Sequence, residues 1–257
     1  MPSGSSREGR ALSATAEIII AVSGAFTVTI DDGLGHKQSF TLRNPWQGLF
    51  VPPMTWRTIT DIAGGSRALV LASELYDAQQ YIRDHSIFAS AAANAPADKP
   101  LVQSTPRKVR LSKALGHGIS SVSEDARLIP LRRIRNSMGS LTAIENKAPA
   151  PFNTERVFYI YDVPTEAERG GHSHYRMHEL IVALGGSFDV IVNDGRNERR
   201  FTLTRPYEAL YVPCGLWRSL ADFSSGAVCL AFASTPYEPR DYVRSFKLFD
   251  QLSRKHS

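Results

Sequence analysis

The sequence AEIIIAVSGAFTVTIDDG, residues 16–33, returns as HELIVALGGSFDVIVNDG at residues 178–195. FTLRNPWQGLFVPPMTWR (40–57) likewise returns as FTLTRPYEALYVPCGLWR (201–218), and YDAQQYIRDHSIF (76–88) as YEPRDYVRSFKLF (237–249). The copies are offset by 162 residues before the first turn (178 against 16) and by 161 after it (201 against 40). An offset this constant indicates that one folding unit has been duplicated.

Both copies have the composition and punctuation of β-strands. Apolar, β-branched runs at residues 18–30 and 180–192 end in the turn sequences Asp-Asp-Gly and Asn-Asp-Gly. Prolines and glycines then separate further short apolar runs, which is typical of a small barrel or sandwich. We therefore predict an all-β fold of two tandem barrels, with short C-terminal helices at residues 76–88 and 237–255.

The two copies differ at their beginnings. We assign residues 1–88 to a first, N-terminally shortened copy, 89–127 to a linker and 128–257 to a complete copy. A barrel without its opening strands has unpaired strand edges. Strands from elsewhere are therefore expected to complete the first copy. They come either from residues 141–163, which gives an intrachain pseudo-dimer, or from a second chain, which gives a homodimer with strand exchange.

The composition excludes several classes of protein. With 257 residues and 42% hydrophobic content, the chain can bury a sizeable core, and its net charge of +5 allows an anionic ligand such as a nucleotide-sugar diphosphate. It has no aromatic-plus-basic motif for nucleic acid and no apolar run of the roughly 20 residues that a membrane helix needs. Cys214 and Cys229 form neither a disulfide framework nor a metal-binding pair, so we expect a cytoplasmic protein.

A histidine pair distinguishes the second copy from the first. RGGHSHYRMHE (169–179) aligns with REGRALSATAE (7–17), so that His172 corresponds to Arg10 and His174 to Leu12. Residues two apart in a strand point to the same face, and two imidazoles in one pocket suit proton transfer near neutral pH or metal binding. We therefore predict that the active site lies in the second copy.

The spacing of His-x-His, Glu179 and Gly186 is the cupin pattern. A metal-binding cupin adds a later histidine, but the corresponding stretch PCGLWR, residues 213–218, contains none. We therefore expect no metal and no other cofactor. A metal site formed by His172, His174 and Glu179 is the alternative.

RGGHSHYRMHELIVALGGSFDVIVNDG, ALYVPCGLW and DFSSGAVCLAFASTPYEPRDYVRSF, preceded by GSLTAIE and PFNTERVFYIYDVP, resemble the dTDP-sugar 3,4-ketoisomerase family, also called WxcM-like. The resemblance covers residues 128–252 in full and 7–88 in part. It implies a cupin jelly-roll barrel related to RmlC, and a homodimer that exchanges N-terminal strands and needs no metal. The family commonly has glutamine where this chain has Glu179.

The resemblance implies an isomerase that moves the keto group between C4 and C3 of a dTDP-4-keto-6-deoxyhexose through an enediol. His172 and His174 would be the base and its partner or proton relay. Two alternatives stay open: a non-catalytic cupin that binds sugar nucleotides, and a metal-dependent cupin enzyme.

Guanidinium groups suit a diphosphate or an enediolate. The candidates in this chain are Arg156, Arg169 and Arg218, each of which is equally compatible with a solvated surface position. Trp217 is a candidate for the nucleotide end of the site. Because Trp56 occupies the same position in the copy without histidines, a packing role for Trp217 is equally open.

Overall fold

The computed structural model describes residues 7–94, 125–137, 139–146 and 149–255. These residues form two units, each with its own hydrophobic core. The first unit comprises residues 7–94 together with Arg135–Ser140, and the second unit comprises residues 125–134 and 141–255. None of the helices in these ranges is both long enough and apolar enough to span a bilayer.

The first unit is built from two antiparallel sheets. One has the strand order β4-β3-β6-β1-β8 and the other the order β5-β2-β7. The elements are β1 (Arg7–Leu12), β2 (Glu17–Ser23), β3 (Phe26–Asp31), β4 (Lys37–Leu42), β5 (Gly48–Val51), β6 (Trp56–Thr60), β7 (Arg67–Ala72), a 3-10 turn (Ala78–Gln80), β8 (Tyr81–Ile82) and α1 (His85–Ala93).

The second unit repeats this arrangement with two additional strands. Its sheets have the orders β16-β15-β18-β13-β20 and β12-β19-β14-β17-β9. The elements are β9 (Arg127–Pro130), β10 (Arg133–Asn136), β11 (Gly139–Thr142), β12 (Arg156–Ile160), β13 (Arg169–His174), β14 (Glu179–Gly185), β15 (Phe188–Asn193), β16 (Glu198–Leu203), β17 (Glu208–Val212), β18 (Trp217–Ala221), β19 (Val228–Ala233), a 3-10 turn (Pro239–Asp241), β20 (Tyr242–Val243) and α2 (Phe246–Lys255). Strands β10 and β11 pair with each other, and the first unit includes Arg135–Ser140, which covers the end of β10 and the beginning of β11.

Alternating side chains from the two sheets fill the core of each unit. In the second unit, Ile181, Phe188 and Val190 are fully buried together, and in the first unit their counterparts Ile19, Phe26 and Val28 are equally buried. This inward alternation is what the apolar, β-branched runs of the sequence predict. The prediction of two tandem all-β cupin barrels is confirmed.

The change of offset between the copies lies in a hairpin turn. Five residues separate β3 from β4, whereas four separate the equivalent β15 from β16. Turns tolerate such a difference because their backbone is exposed, while a one-residue slip inside a strand would send its core side chains to the wrong face.

The predicted C-terminal helices begin later than expected. Residues 76–84 and 237–245 form a 3-10 turn and a short strand, and this strand pairs with β1 or with β13. Helix α1 starts after Asp84, whose carboxylate caps it, and continues through Ala89–Ala93, which the sequence assigned to the linker. Alanine is the strongest helix former, which explains this extension. The rest of the predicted linker up to residue 124 lies outside the described residues.

Among the described residues, the three-stranded sheet of the first unit has no flanking strand on either side. In the second unit β12 pairs with β19 and β9 pairs with β17, but no described strand takes these places beside β7 and β5. Ile18 on the outer face of β2 is consequently 38% exposed, whereas its counterpart Leu180 is fully buried. The expected donation of strands from residues 141–163 to the first copy is wrong for β12, because β12 pairs inside its own unit.

Gly186 provides a test of the turn between β14 and β15. Its φ is +61°, and a Cβ there would approach Ser224 Oγ to 2.5 Å and the Cα of Ala227 to 2.8 Å. We expect Gly186→Ala to lower the free energy of unfolding by at least about 3 kcal/mol, since backbone strain and overpacking add. The measurement is urea unfolding followed by Trp217 fluorescence, with Trp46 and Trp56 replaced by phenylalanine.

Gly226→Ala is the matched control. Gly226 has a similar φ of +67°, but nothing lies within 4 Å of a Cβ there. This variant should lose only about 1–2 kcal/mol from backbone strain. Equal losses in the two variants would show that the close approach of Ser224 and Ala227 is unimportant.

Candidate active site

Strand β13 carries the histidine pair. Two glycines with positive φ, Gly170 (+85°) and Gly171 (+66°), form a bulge in its pairing with β18 just before His172. A side chain at Gly170 would approach a guanidinium nitrogen of Arg218 to 2.9 Å. The two glycines therefore allow β13 to bulge just before His172, where a larger residue at Gly170 would crowd Arg218.

The rings of His172 and His174 lie on one face of β13, inside the barrel. Their centroids are 4.8 Å apart and their planes are nearly perpendicular, at 89°. Only 8% of His172 and 4% of His174 is exposed. Within the described residues, both nitrogens of His174 and Nε2 of His172 lack hydrogen-bond partners. Buried polar atoms of this kind are usually satisfied, so these nitrogens are available for a ligand.

Tyr242 covers the histidine pair. Its ring centroid is 4.2 Å from that of His174 and 4.9 Å from that of His172. Strand β20 holds Tyr242 in this place because it pairs with β13 opposite His174. The first unit keeps the same residue as Tyr81, so an aromatic ring at this position is part of the shared scaffold.

Glu179 and Arg218 form a buried ion pair between the two sheets of the barrel. The carboxylate accepts hydrogen bonds from Nε and from Nη2 of Arg218, the latter at 2.7 Å. Glu17 and Arg57 form the same bidentate ion pair in the first unit, with hydrogen bonds of 2.5 and 2.7 Å. Because the pair persists where the histidines are absent, we assign it to the scaffold.

This ion pair bears on two predicted roles. Arg218 is 95% buried against Glu179 and is not a free clamp for a phosphate. Glu179 accepts a hydrogen bond from Arg218 at each of its carboxylate oxygens. The described part of the chain contains no group of three His, Cys, Asp or Glu side chains placed to hold a metal ion.

His172 is held in its neutral form. Burial, followed by the positive charge of Arg218 and the neighbouring His174, lowers the pKa of His172 from 6.5 to about 3. A neutral imidazole can accept a proton at one nitrogen while donating at the other. His172 therefore suits a hydrogen-bonding or relay role at neutral pH.

Asp241 lies beside His174 and was missed by the sequence analysis. Its Oδ2 is 3.3 Å from Nδ1 of His174, and the side chain is almost fully buried. A signal was present in the duplication, because Gln80 occupies this position in the copy that lacks the histidines. Comparing the copies beyond the His-x-His motif would have found it.

A cavity of about 320 Å³ is lined by Tyr242, whose ring packs against both histidines. Its other lining residues are Arg156, Phe158 and Tyr237. The guanidinium of Arg156 lies 5.1 Å from the ring of Phe158 and 5.5 Å from that of Tyr237, and its Nη2 is 3.4 Å from the hydroxyl of Tyr242. The predicted site residue Arg156 thus lines a cavity with aromatic walls and one positive charge.

The structure separates the other two predicted site residues from this cavity. Arg169 is exposed at the beginning of β13. Trp217 packs against Phe246 and Phe249 of α2, with centroids 5.1 and 5.7 Å away. Trp56 packs in the same way against α1 of the first unit. The shared contact favours the packing role for Trp217.

The first unit has no imidazole at the positions of the histidine pair. Arg10 and Leu12 replace the histidines, and the space that they line with Glu17 and Arg57 has no room for a water molecule. The chemistry available in the second unit is therefore not available here.

The second unit thus combines two buried imidazoles on one strand of a β-barrel with a cavity that has aromatic walls and an arginine. The sequence profile of the family described as FdtA, WxcM-like, C-terminal, matches residues 1–93 and 124–254. The chain belongs to this family, which confirms the resemblance found in the sequence.

Similar proteins each correspond to about half of this chain. The TDP-4-oxo-6-deoxy-alpha-D-glucose-3,4-oxoisomerase of Aneurinibacillus thermoaerophilus is 38% identical over 129 residues, 50% of this chain and 93% of that protein. The crystal structure of the sugar 3,4-ketoisomerase QdtA from Thermoanaerobacterium thermosaccharolyticum in complex with TDP is 33% identical, with a TM-score of 0.51 over 52% of this chain and 98% of that chain. A QdtA variant in complex with TDP-4-keto-6-deoxyglucose is 33% identical, with a TM-score of 0.50 over 51% of this chain and 94% of that chain.

The lowered pKa of His172 predicts how stability depends on pH. Its folded-state pKa of about 3 lies below the unfolded value of 6.5, so between these limits the unfolded chain binds a proton that the folded protein does not. Stability from this residue is therefore present above pH 6.5 and lost as the pH falls towards 3. From pH 4 to 6, the free energy of unfolding should rise about 1.4 kcal/mol per pH unit more steeply in the wild type than in His172→Asn.

Urea unfolding of the second unit, followed by Trp217 fluorescence at several pH values, measures this difference. His36→Asn is the control, because the side chain of His36 is 78% exposed in the first unit. Equal slopes for the wild type and His172→Asn would mean that His172 is not held neutral.

Proposed function

We propose that this protein is a nucleotide-sugar isomerase that moves the keto group between C4 and C3 of a dTDP-4-keto-6-deoxyhexose. The observation that carries the proposal is the buried pair of His172 and His174, with unsatisfied ring nitrogens, beside the cavity of the second unit. The named activities of the relatives support the same reaction.

The reaction needs only proton transfers. A histidine removes the proton from C3, and the electrons of the C3–H bond form a C3=C4 double bond as the C4 oxygen takes up a proton. The resulting enediol then loses the proton of its C3 hydroxyl group, C4 gains a proton, and the ketone stands at C3. Atoms and electrons balance without an oxidant, and two imidazoles in one pocket suit both transfers.

The cavity suits the nucleotide part of the substrate. The rings of Phe158 and Tyr237 offer apolar faces for a base, and the guanidinium of Arg156 offers donors to a diphosphate. Arg169 is exposed at the beginning of β13 and does not line this cavity. The TDP complex of QdtA supports a thymidine diphosphate sugar as the ligand. We keep the cytoplasm as the expected location, because the sequence contains two cysteines and no disulfide framework.

A second chain remains the proposed partner of the first unit. The outer face of its three-stranded sheet exposes Ile18 and Phe50, 47% of the latter, whereas the corresponding face of the second unit is buried. The paired flanking strands of the second unit indicate what the first unit requires at its free edges. A homodimer with strand exchange would supply such strands.

The dimer can be tested by sedimentation of the full chain. We expect a particle of twice the 28.4 kDa chain mass, and Phe50→Lys should convert it to a monomer by placing a charge on the outer face. Leu34→Lys is the control, because Leu34 is 62% exposed in the β3–β4 turn. A wild type that stays monomeric at every concentration contradicts the dimer.

The activity is tested with TDP-4-keto-6-deoxyglucose and NMR detection of the 3-keto product. His174→Asn should lower kcat by about 100-fold to 10,000-fold, because it removes a proton-transfer group. Arg10→Asn, at the position of the first unit that corresponds to His172, should leave the rate nearly unchanged. Equal losses would overturn the assignment of one working site to the second unit, and absence of product with the wild type would overturn the proposed reaction.

A further inference from the structure

The segment at residues 76–88 of the first unit keeps a few residues of its counterpart at 237–249. The residues identical in the two copies are Tyr76, Tyr81, Arg83 and Phe88. Phe88 is fully buried under α1, and Tyr81 belongs to the scaffold because β8 pairs with β1 at this residue. Burial does not account for the other two, since 64% of Tyr76 and the side chain of Arg83 are exposed.

These residues meet at the ring of Tyr81. The ring centroid of Tyr76 is 5.4 Å away, with an angle of 50° between the planes. The guanidinium of Arg83 lies 5.0 Å from the ring of Tyr81, and that of Arg10 lies 5.4 Å from it. Arg10, Tyr76, Tyr81 and Arg83 are called the Tyr81 cluster below. The cluster combines two aromatic rings with two permanent positive charges.

The second unit builds its cavity from equivalent groups. Tyr237 and Tyr242 line the cavity with their centroids 5.6 Å apart and an angle of 57° between the rings. The guanidinium of Arg244, the counterpart of Arg83, lies 4.5 Å from the ring of Tyr242. Arg156 adds a second guanidinium, with its Nη2 at 3.4 Å from the hydroxyl of Tyr242. The first unit therefore retains an aromatic pair with two guanidinium groups.

Arg10 exchanges proton chemistry for charge. It occupies the position of His172 and, like His172, lies beside the tyrosine of the short strand. An imidazole can take up and release a proton near neutral pH, whereas a guanidinium stays protonated. The exchange removes a proton-transfer group and adds one that is well suited to phosphate oxygens.

We propose that the Tyr81 cluster is a second, non-catalytic binding site for a nucleoside diphosphate. The rings of Tyr76 and Tyr81 contact the base, and the guanidinium groups of Arg10 and Arg83 contact the phosphates. The class of ligand rests on the proposed function, because the cluster repeats the aromatic and charged groups of the cavity in the second unit. The missing histidines make the site one for binding alone.

The segment that carries the cluster is ordered by its own hydrogen bonds. The carboxylate of Asp77 accepts the backbone N–H of Gln79 at 2.9 Å, and that of Asp84 accepts the backbone N–H of Ser86 at 2.8 Å. Strand β8 between these two caps is paired with β1. Binding therefore requires little ordering of the backbone around Tyr81, which lowers its entropic cost.

Equilibrium dialysis of the full chain against radiolabelled TDP tests the second site. We expect two molecules of TDP per chain at saturation. The site of the first unit should be the weaker one, because no described strand supplies the wall that β12 gives to the cavity of the second unit. One molecule of TDP per chain in the wild type overturns the proposal.

Two variants of the cluster locate the second molecule. Arg83→Glu should weaken its binding at least about 10-fold, because a charged hydrogen bond is lost and a like charge faces the phosphates. Tyr76→Ala removes a stacking surface and should weaken it about 5-fold to 150-fold. Two molecules of TDP bound with wild-type affinity in both variants would place the second one elsewhere and overturn the proposal.

Arg43→Glu is the matched control. Arg43 is exposed directly after β4, and β4 and β8 are the opposite edges of one sheet. The substitution changes the net charge as much as Arg83→Glu does, but away from the cluster. It should keep both molecules of TDP at wild-type affinity. Equal weakening in the two variants would mean that net charge alone attracts the nucleotide, which also overturns the site.

Competition in Arg156→Glu, whose cavity in the second unit is weakened, distinguishes the ligands of the first unit. Inorganic pyrophosphate lacks the base, so it should displace labelled TDP only at concentrations about 5-fold to 150-fold above those of unlabelled TDP. Pyrophosphate as effective as TDP would indicate an anion site and overturn the nucleoside assignment. TDP-4-keto-6-deoxyglucose shares the nucleoside diphosphate and should compete. Its affinity relative to TDP shows whether the sugar nucleotide or the free nucleotide is preferred.

Activity separates this site from the proposed function. Arg83→Glu should keep kcat near the wild-type value, because the Tyr81 cluster contains no residue of the second unit. A loss as large as that expected of His174→Asn would make the cluster part of the active site and overturn its non-catalytic role. If the wild type produces no 3-keto sugar, the proposed function fails, whereas the loss of one TDP in Arg83→Glu still establishes the site in the first unit.

Discussion

The ion pair between Glu179 and Arg218 joins the two sheets of the second barrel. Glu179 lies on β14 and Arg218 on β18, which belong to different sheets. Both groups are buried, so removing either one would leave an uncompensated charge at a cost of about 3–5 kcal/mol. Glu17 and Arg57 join the sheets of the first barrel in the same way. The candidate active site depends on the same ion pair, because Arg218 also faces His172 and helps to keep it neutral.

The duplication separates the scaffold from the chemistry. Residues common to both units hold sheets and helices together: the Glu–Arg pair, the tryptophan against the C-terminal helix and the tyrosine of the short strand after the 3-10 turn. Residues found only in the second unit are the histidine pair, Asp241 and Arg156 with its cavity. The first barrel keeps its fold with Arg10 and Leu12 at the positions of the histidine pair, and it retains the buried ion pair.

Within the described residues, the two units differ at the edges of their sheets. In the second unit, β9 and β12 pair with the strands that would otherwise be edges. In the described residues of the first unit, β5 and β7 have no such neighbours. A sheet can lose its outer strands and keep its core, because the side chains of β2 and β3 fill the interior without them. The backbone N–H and C=O groups along each free edge still need hydrogen-bond partners from outside the sheet.

Much of this protein was determined by its sequence alone. The repeated apolar runs predicted two all-β barrels, and the two-residue spacing of His172 and His174 predicted one shared face, because both are local consequences of strand periodicity. The tertiary structure decided the rest. Only the folded structure shows that Arg218 pairs with Glu179 and that Trp217 packs against α2. It also places Asp241 beside His174, although 66 residues separate them in the sequence. Such contacts depend on the pairing of strands distant in the chain, and the periodicity of a single strand contains no information about its partner.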